Sequence, residues 1–119
     1  MIIKINNLVM VSLKKLAMDY INNFNNKDLI KLKKMFALDV SLRDWNVYSI
    51  GIDSVIEANR SIFIEFKNIK ATPLAFIEDS YKIAIELEIC LDNSNKIKVL
   101  DILEFNEDFK IKSIKAFKG

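Results

Sequence analysis

Leu13, Leu16, Ala17, Tyr20, Ile21 and Phe24 recur at offsets of three and four, the spacing that stacks apolar side chains along one helix face. This predicts a first amphipathic helix. The Asn22, Asn23, Asn25, Asn26 run loosens it, and Asp28 then caps a short second helix carrying Leu29, Leu32 and Phe36 inward. From Val40 the period changes to two: Val40, Leu42 and Asp44 point one way, Ser41, Arg43 and Trp45 the other. A loop through Asn46, Ser49 and Gly51 follows. Asp53 or Ser54 caps a third helix with Val55, Asn59, Ile62, Phe63 and Phe66 on its inner face.

The rest of the chain alternates as strands over residues 71–78, 81–91, 96–105 and 110–117, separated by turn-forming Asp, Asn and Ser clusters. Pro73 assigns the first of these to a sheet edge or a strand start. Helices first and an antiparallel meander afterwards predict an α+β fold, with helices on one face of a curved sheet. At 119 residues, without an internal repeat or a linker, the expectation is a single domain over 1–119.

Composition narrows the chemistry. Eighteen basic against 16 acidic residues lack the concentrated basic face of a nucleic-acid binder, so no nucleic-acid partner is expected. Lys14, Lys15, Lys31, Lys33 and Lys34 read as solvated helix surface. The chain has no His, which removes the usual metal ligand and general base, and no metal or cofactor is expected. A lone Cys90 allows no internal disulfide. The Met1–Leu13 stretch lacks a long apolar run and a cleavage site, and it reads as leading directly into the first helix. A cytoplasmic protein without a membrane partner is the expectation.

Three ionisable residues occupy positions where the pattern calls for apolar ones. Tyr20 interrupts the buried stripe of the first helix, Asp44 shares a face with Val40 and Leu42, and Asp101 lies between Val99 and Leu103 on one strand face. A carboxylate in such a place must be paired, hydrogen-bonded or protonated, and no Lys or Arg shares either strand face. Tyr20 fits either a core tyrosine with its hydroxyl at the surface or a pocket donor. Asp44 fits a strand-end turn as well as a pocket. Asp101, inside a strand, fits a pocket lining whose apolar walls raise its pKa. Asn59, on the apolar face of the third helix, needs partners and can extend a network with these groups or bind backbone.

These segments have a familiar order. Asp19–Leu29 resembles the first helix, Asn-rich turn and second helix of the nuclear transport factor 2-like superfamily, as does the run from Met35-Phe36-Ala37 through Ser41–Asp44. Gly51–Ile56 resembles its third-helix entry and Asp101–Asn106 its penultimate strand. The resemblance implies a cystatin-like cone: a curved antiparallel sheet wrapped on three helices from the N-terminal half. Within the superfamily the chain is most similar to the ketosteroid isomerase and SnoaL-like polyketide cyclase branch. Aligned on these segments, Tyr20 falls at the isomerase's oxyanion-hole tyrosine and Asp44 at its general base. Asp101 falls at the protonated aspartic acid that completes the oxyanion hole.

The resemblance therefore implies an acid–base isomerase or cyclase acting on a small apolar or carbonyl-bearing molecule. Phe36, Asn59, Phe63, Leu103 and Trp45 would wall the pocket. A non-catalytic ligand binder and a protein-interaction module of the same fold are the alternatives. Asn59 stands where the isomerase has an aromatic residue, and Trp45 replaces a small residue after the base. Together with the absence of a long tail after Gly119, these departures point away from a steroid-sized substrate. The lack of His separates the chain from the His-Asp dehydratases of this fold. Leu100, Ile102, Ile114 and Ala116 are expected on the sheet face opposite the core, and the resemblance implies a homodimer through that face.

Overall fold

The computed structural model describes residues 2–5, 9–92 and 94–119, with side chains from Val11 onward. An N-terminal hairpin, β1 (Ile2–Ile5) and β2 (Val9–Ser12), precedes the first helix. The sequence reading ran this stretch straight into the helix. Instead, Ser12 ends β2 and caps α1 (Leu13–Asn25), accepting from the Lys15 backbone N–H. Asp28 caps α2 (Leu29–Met35) in the same way through Lys31.

The chain then enters β3 (Phe36–Arg43), so Phe36 opens a strand instead of closing a helix. The expected loop contains a short strand, β4 (Tyr48–Ile50). Helix α3 (Ile52–Glu65) has Gly51 at its N-cap, with φ at 94° and no side-chain cap bond, so neither Asp53 nor Ser54 is the cap. A positive φ favours glycine there. Asp53 sits in the first helical turn, where its charge suits the helix dipole, and it reaches Lys33 at 3.4 Å.

Four long strands follow: β5 (Lys70–Asp79), β6 (Lys82–Cys90), β7 (Lys96–Phe105) and β8 (Ile111–Lys118). They form one sheet in the order β4-β3-β8-β7-β6-β5, antiparallel except where β3 runs parallel to β8. Among the described residues, the three helices and this six-stranded sheet enclose a core that includes Leu13, Leu32, Ile83, Ile85, Leu103 and Ile111, all fully buried. Burying each such side chain contributes roughly 1.5–3 kcal/mol. No described helix is long and apolar enough to cross a membrane.

Register shifts on β8 and β5, besides one on β3 between Phe36 and Ser41, set which residues look inward. On β8, Ile111 pairs with Phe105 and Ser113 with Glu104, so Lys112 is the extra residue. The bulge shifts the alternation and turns Ile114, opposite Leu103, into the core with Ala116 beside Asp101. Ile114 and Ala116 therefore do not belong to the outer face, where simple alternation had placed them. Leu100, Ile102 and Phe117 do. On β5, Pro73 pairs with Leu87 and Ala75 with Glu86, leaving Leu74 as the extra residue on this edge strand.

The Asn-rich turn has a structural task. The Asn25 amide donates to the Ala71 carbonyl at 2.9 Å and accepts from the Ala71 N–H at 2.8 Å, copying a strand partner on the open edge of β5. Lys27, at φ 53°, donates to the carbonyls of Phe66 and Lys67 and ties the same turn to the end of α3. Asn25→Ala should therefore cost about 1–3 kcal/mol, because it leaves two half-buried backbone groups without partners. Urea unfolding measures this, and a loss below about 0.5 kcal/mol, the range of an ordinary surface change, would show that the clamp adds nothing.

Candidate functional site

A cavity of about 390 Å³ opens between the helices and the concave face of the sheet, within the usual size range of small-molecule sites. Helix α1 supplies Tyr20 and Phe24, one turn apart on its inner stripe. Helix α3 supplies Asn59, Ile62 and Phe66 at helical spacing. The sheet supplies Ile97, Val99 and Asp101 from β7 and Ile114 and Ala116 from β8, each set two residues apart as strand geometry requires. The turn after β3 closes the remaining side with Asp44, Trp45, Asn46 and Val47.

All three pattern-breaking residues line this one space. Tyr20 is 6% exposed and Asp101 9%, and Asp101 stands between Ile85 and Ala116 in the sheet. Burial pushes the Asp101 carboxyl up to about 7, and the nearby Asp44 charge adds to the rise. The Tyr20 hydroxyl is pushed well above the usual tyrosine range, first by burial and then by Asp101. No described residue hydrogen-bonds to the Tyr20 hydroxyl or the Asp101 carboxyl, and neither has a polar atom sealed in the core. Their polar ends are thus open to whatever enters the cavity.

Asp44 does two things. Its Oδ1 accepts from the backbone N–H groups of Asn46, at 2.7 Å, and Val47, at 2.6 Å, forming the strand-end turn. No described residue donates to its second oxygen, and the residue lines the cavity. Asp44 and Trp45 both lie past Arg43, the last β3 residue, beyond the reach of strand alternation; Trp45 lines the cavity, as the resemblance implies, although alternation alone gives it the opposite face. The Lys118 ammonium lies 5.9 Å from the Trp45 ring centre and lines the same space.

Asn59 and Trp45 reach the cavity, whereas Phe36, Phe63 and Leu103 are not among its walls. Phe36 packs on the Tyr20 ring with centroids 6.4 Å apart, and Phe63 meets Phe24 edge-on at 5.1 Å. Leu103 is fully buried in the core. These three brace the lining from behind. The sequence had not assigned Phe24, Val99, Ile114 or Lys118 to the pocket. Phe24 and Val99 carried a signal, sharing faces with Tyr20 and Asp101 respectively; Ile114 was hidden by the bulge, and Lys118 had no signal.

The fold has counterparts among solved structures. An NTF2-like protein of unknown function from Cytophaga hutchinsonii superposes with a TM-score of 0.78 at 12% identity, covering 94% of each chain. The fold is that of the nuclear transport factor 2-like superfamily. A candidate isomerase of the SnoaL-like family from Agrobacterium tumefaciens gives a TM-score of 0.79 at 10% identity, covering 89% of this chain and 96% of its own. A protein with a ketosteroid isomerase-like fold from Catenulispora acidiphila, in complex with trimethylamine, gives 0.78 at 12% identity over 86% of this chain and 83% of its own. No family model matches the sequence, and no curated protein matches it closely enough to count as a relative. At such identities the likeness to solved nuclear transport factor 2-like structures establishes the fold alone.

Proposed function

We propose that this nuclear transport factor 2-like domain binds a small carbonyl compound in the cavity and moves a proton on it. Asp44 takes a proton from the carbon beside the carbonyl, and the enolate oxygen is held by the Tyr20 hydroxyl and the protonated Asp101. Where the compound is β,γ-unsaturated, the enolate is a dienolate and Asp44 returns the proton to its γ-carbon, moving the double bond into conjugation and completing an isomerisation. The carrying observation is Asp101: a buried carboxyl inside a strand, half-protonated near pH 7, beside Tyr20 on the same cavity, with no protein group spending its proton. A neutral carboxyl and a phenol are the donors an enolate needs, and the apolar walls strengthen both bonds. The test is deuterium uptake by cyclohexanone in heavy water, followed by NMR; uptake no faster than with buffer would remove the enzymatic reading.

The trimethylamine complex favours a second reading, a non-catalytic site for a small organic cation held by carboxylates and rings. Binding of trimethylammonium that tightens above pH 7, without deuterium uptake, would select it. The lone cysteine keeps the cytoplasm as our reading of the location.

We further propose that the domain is a homodimer through the outer sheet face. That face carries Ile77 at 73%, Phe117 at 54% and Leu100 at 40% exposure around an open hollow floored by Ala75 and Ala84. Such an apolar sheet face needs cover, and a second copy supplies a matching one. Leu100→Lys with Phe117→Lys should convert a dimer to a monomer in sedimentation at micromolar concentration. A wild-type monomer at that concentration would refute it.

A further inference from the structure

Asn59 is, with Asp101, one of two buried polar side chains among the described residues, and the proton transfer above does not use it. It is 3% exposed and lines the cavity from α3. Its Nδ2 donates to the Val55 carbonyl one turn back, at 3.0 Å. A carbonyl oxygen only accepts, so this bond fixes which end of the amide is nitrogen. The other end, Oδ1, receives no hydrogen bond from any described residue. Ile62, three residues on, and Phe66, seven on, line the same space, so this face of α3 looks into the cavity.

An acceptor oxygen held in an apolar wall is costly unless something donates to it. A leucine would fill the helix face without that cost. Val55 does not need the side chain either, because its carbonyl already belongs to the helix ladder. The bond to Val55 acts on the asparagine: it orients Oδ1.

We propose that Asn59 sets specificity, its Oδ1 accepting a hydrogen bond from a hydroxyl or N–H on the ligand. The preferred ligands are then carbonyl compounds that also carry such a donor, hydroxy-ketones and amido-ketones, over the parent ketones. This rests on the carbonyl reading above. There Tyr20 and Asp101 donate to the carbonyl oxygen, and Asn59 is the complementary acceptor for a second group. Donors at one end and an acceptor on another element also fix which way round the ligand lies.

The test is an NMR-detected titration with cyclohexanone, 4-hydroxycyclohexanone, 4-(hydroxymethyl)cyclohexanone and 4-methoxycyclohexanone. The methoxy compound has similar bulk and polarity but cannot donate. The wild-type protein should bind at least one hydroxylated ketone about tenfold more tightly than the methoxy ketone. Asn59→Leu should bring that ratio close to one, whatever the change in its affinity for cyclohexanone itself. Equal wild-type affinities for the hydroxylated and methoxy ketones would overturn the proposal, even if the variant failed to fold. So would a preference that survives Asn59→Leu. If no ketone binds, cyclohexanone included, the carbonyl reading itself fails and this inference falls with it.

Discussion

Between about pH 4 and pH 7 the protein should lose stability as pH rises, and Asp101→Asn should remove most of that loss. The sign follows from the direction of the shift. Asp101 titrates at about 7 in the folded protein against 3.8 for an ordinary carboxyl, so between those values the folded state holds the extra proton. Folding is then favoured at the acid end, and the advantage disappears as pH passes through 7. Three pKa units correspond to roughly 4 kcal/mol, about what burying two neighbours such as Ile85 and Leu103 contributes. Asparagine is uncharged at every pH and close in shape. Asp101→Asn should therefore match the wild type near pH 4 and melt roughly 15 °C higher near pH 8. Parallel melting profiles for the two proteins across this range would mean that Asp101 ionises without penalty. Asp101 would then be no neutral donor at pH 7.

This cost argues for a use. A leucine at position 101 would continue the apolar face of β7 between Val99 and Leu103, and the fold would be more stable for it. A chain that keeps a buried carboxyl facing a cavity gives up stability at neutral pH. Local rules broken inside an otherwise consistent core are expected where a site is built.

How much of this the sequence carried depends on the kind of constraint. Helices α1 and α3 were legible because their inner faces repeat every three to four residues, and β6 and β7 because they alternate without interruption. Asp101 was legible as a violation of an otherwise apolar face. What could not be read were features that depend on pairing over long separations. The parallel contact between β3 and β8 joins residues such as Leu42 and Ile114, which no local pattern links. The bulge at Lys112 moves Ile114 and Ala116 inward, and alternation alone cannot show it. The Asn25 clamp looked like a helix-loosening turn, because its partner Ala71 lies 46 residues away. The cavity walls divide in the same way. Phe63 is inward as its helical offset predicts, and Phe36 is inward from β3 and not from a helix, but inward positions behind another ring and inward positions at a surface share one periodicity.

Asp44→Asn should abolish most of the proposed proton transfer while leaving the protein as stable as before, and this pairing separates the two roles of Asp44. The Asn46 and Val47 N–H groups bond to Oδ1, and an asparagine carbonyl oxygen can accept both. The turn survives. The amide cannot take a proton from carbon, so conversion of a β,γ-unsaturated cyclohexenone to its conjugated isomer, followed by enone absorbance, should slow by about 10²–10⁴-fold. Asp44→Ala should lose the same activity and also about 1–3 kcal/mol of stability, since both backbone donors are then left unpaired. The pH profile adds an independent check on the partner group. With Asp101 at about 7 in the free protein, kcat/KM should fall above about pH 7 as that donor ionises, and Asp101→Asn should remove this limb at a lower plateau. Wild-type activity in Asp44→Asn would exclude Asp44 as the base, and an intact alkaline limb in Asp101→Asn would assign that ionisation to another group. Both expected results together would join the two carboxyls, one ionised and one neutral, in a single reaction.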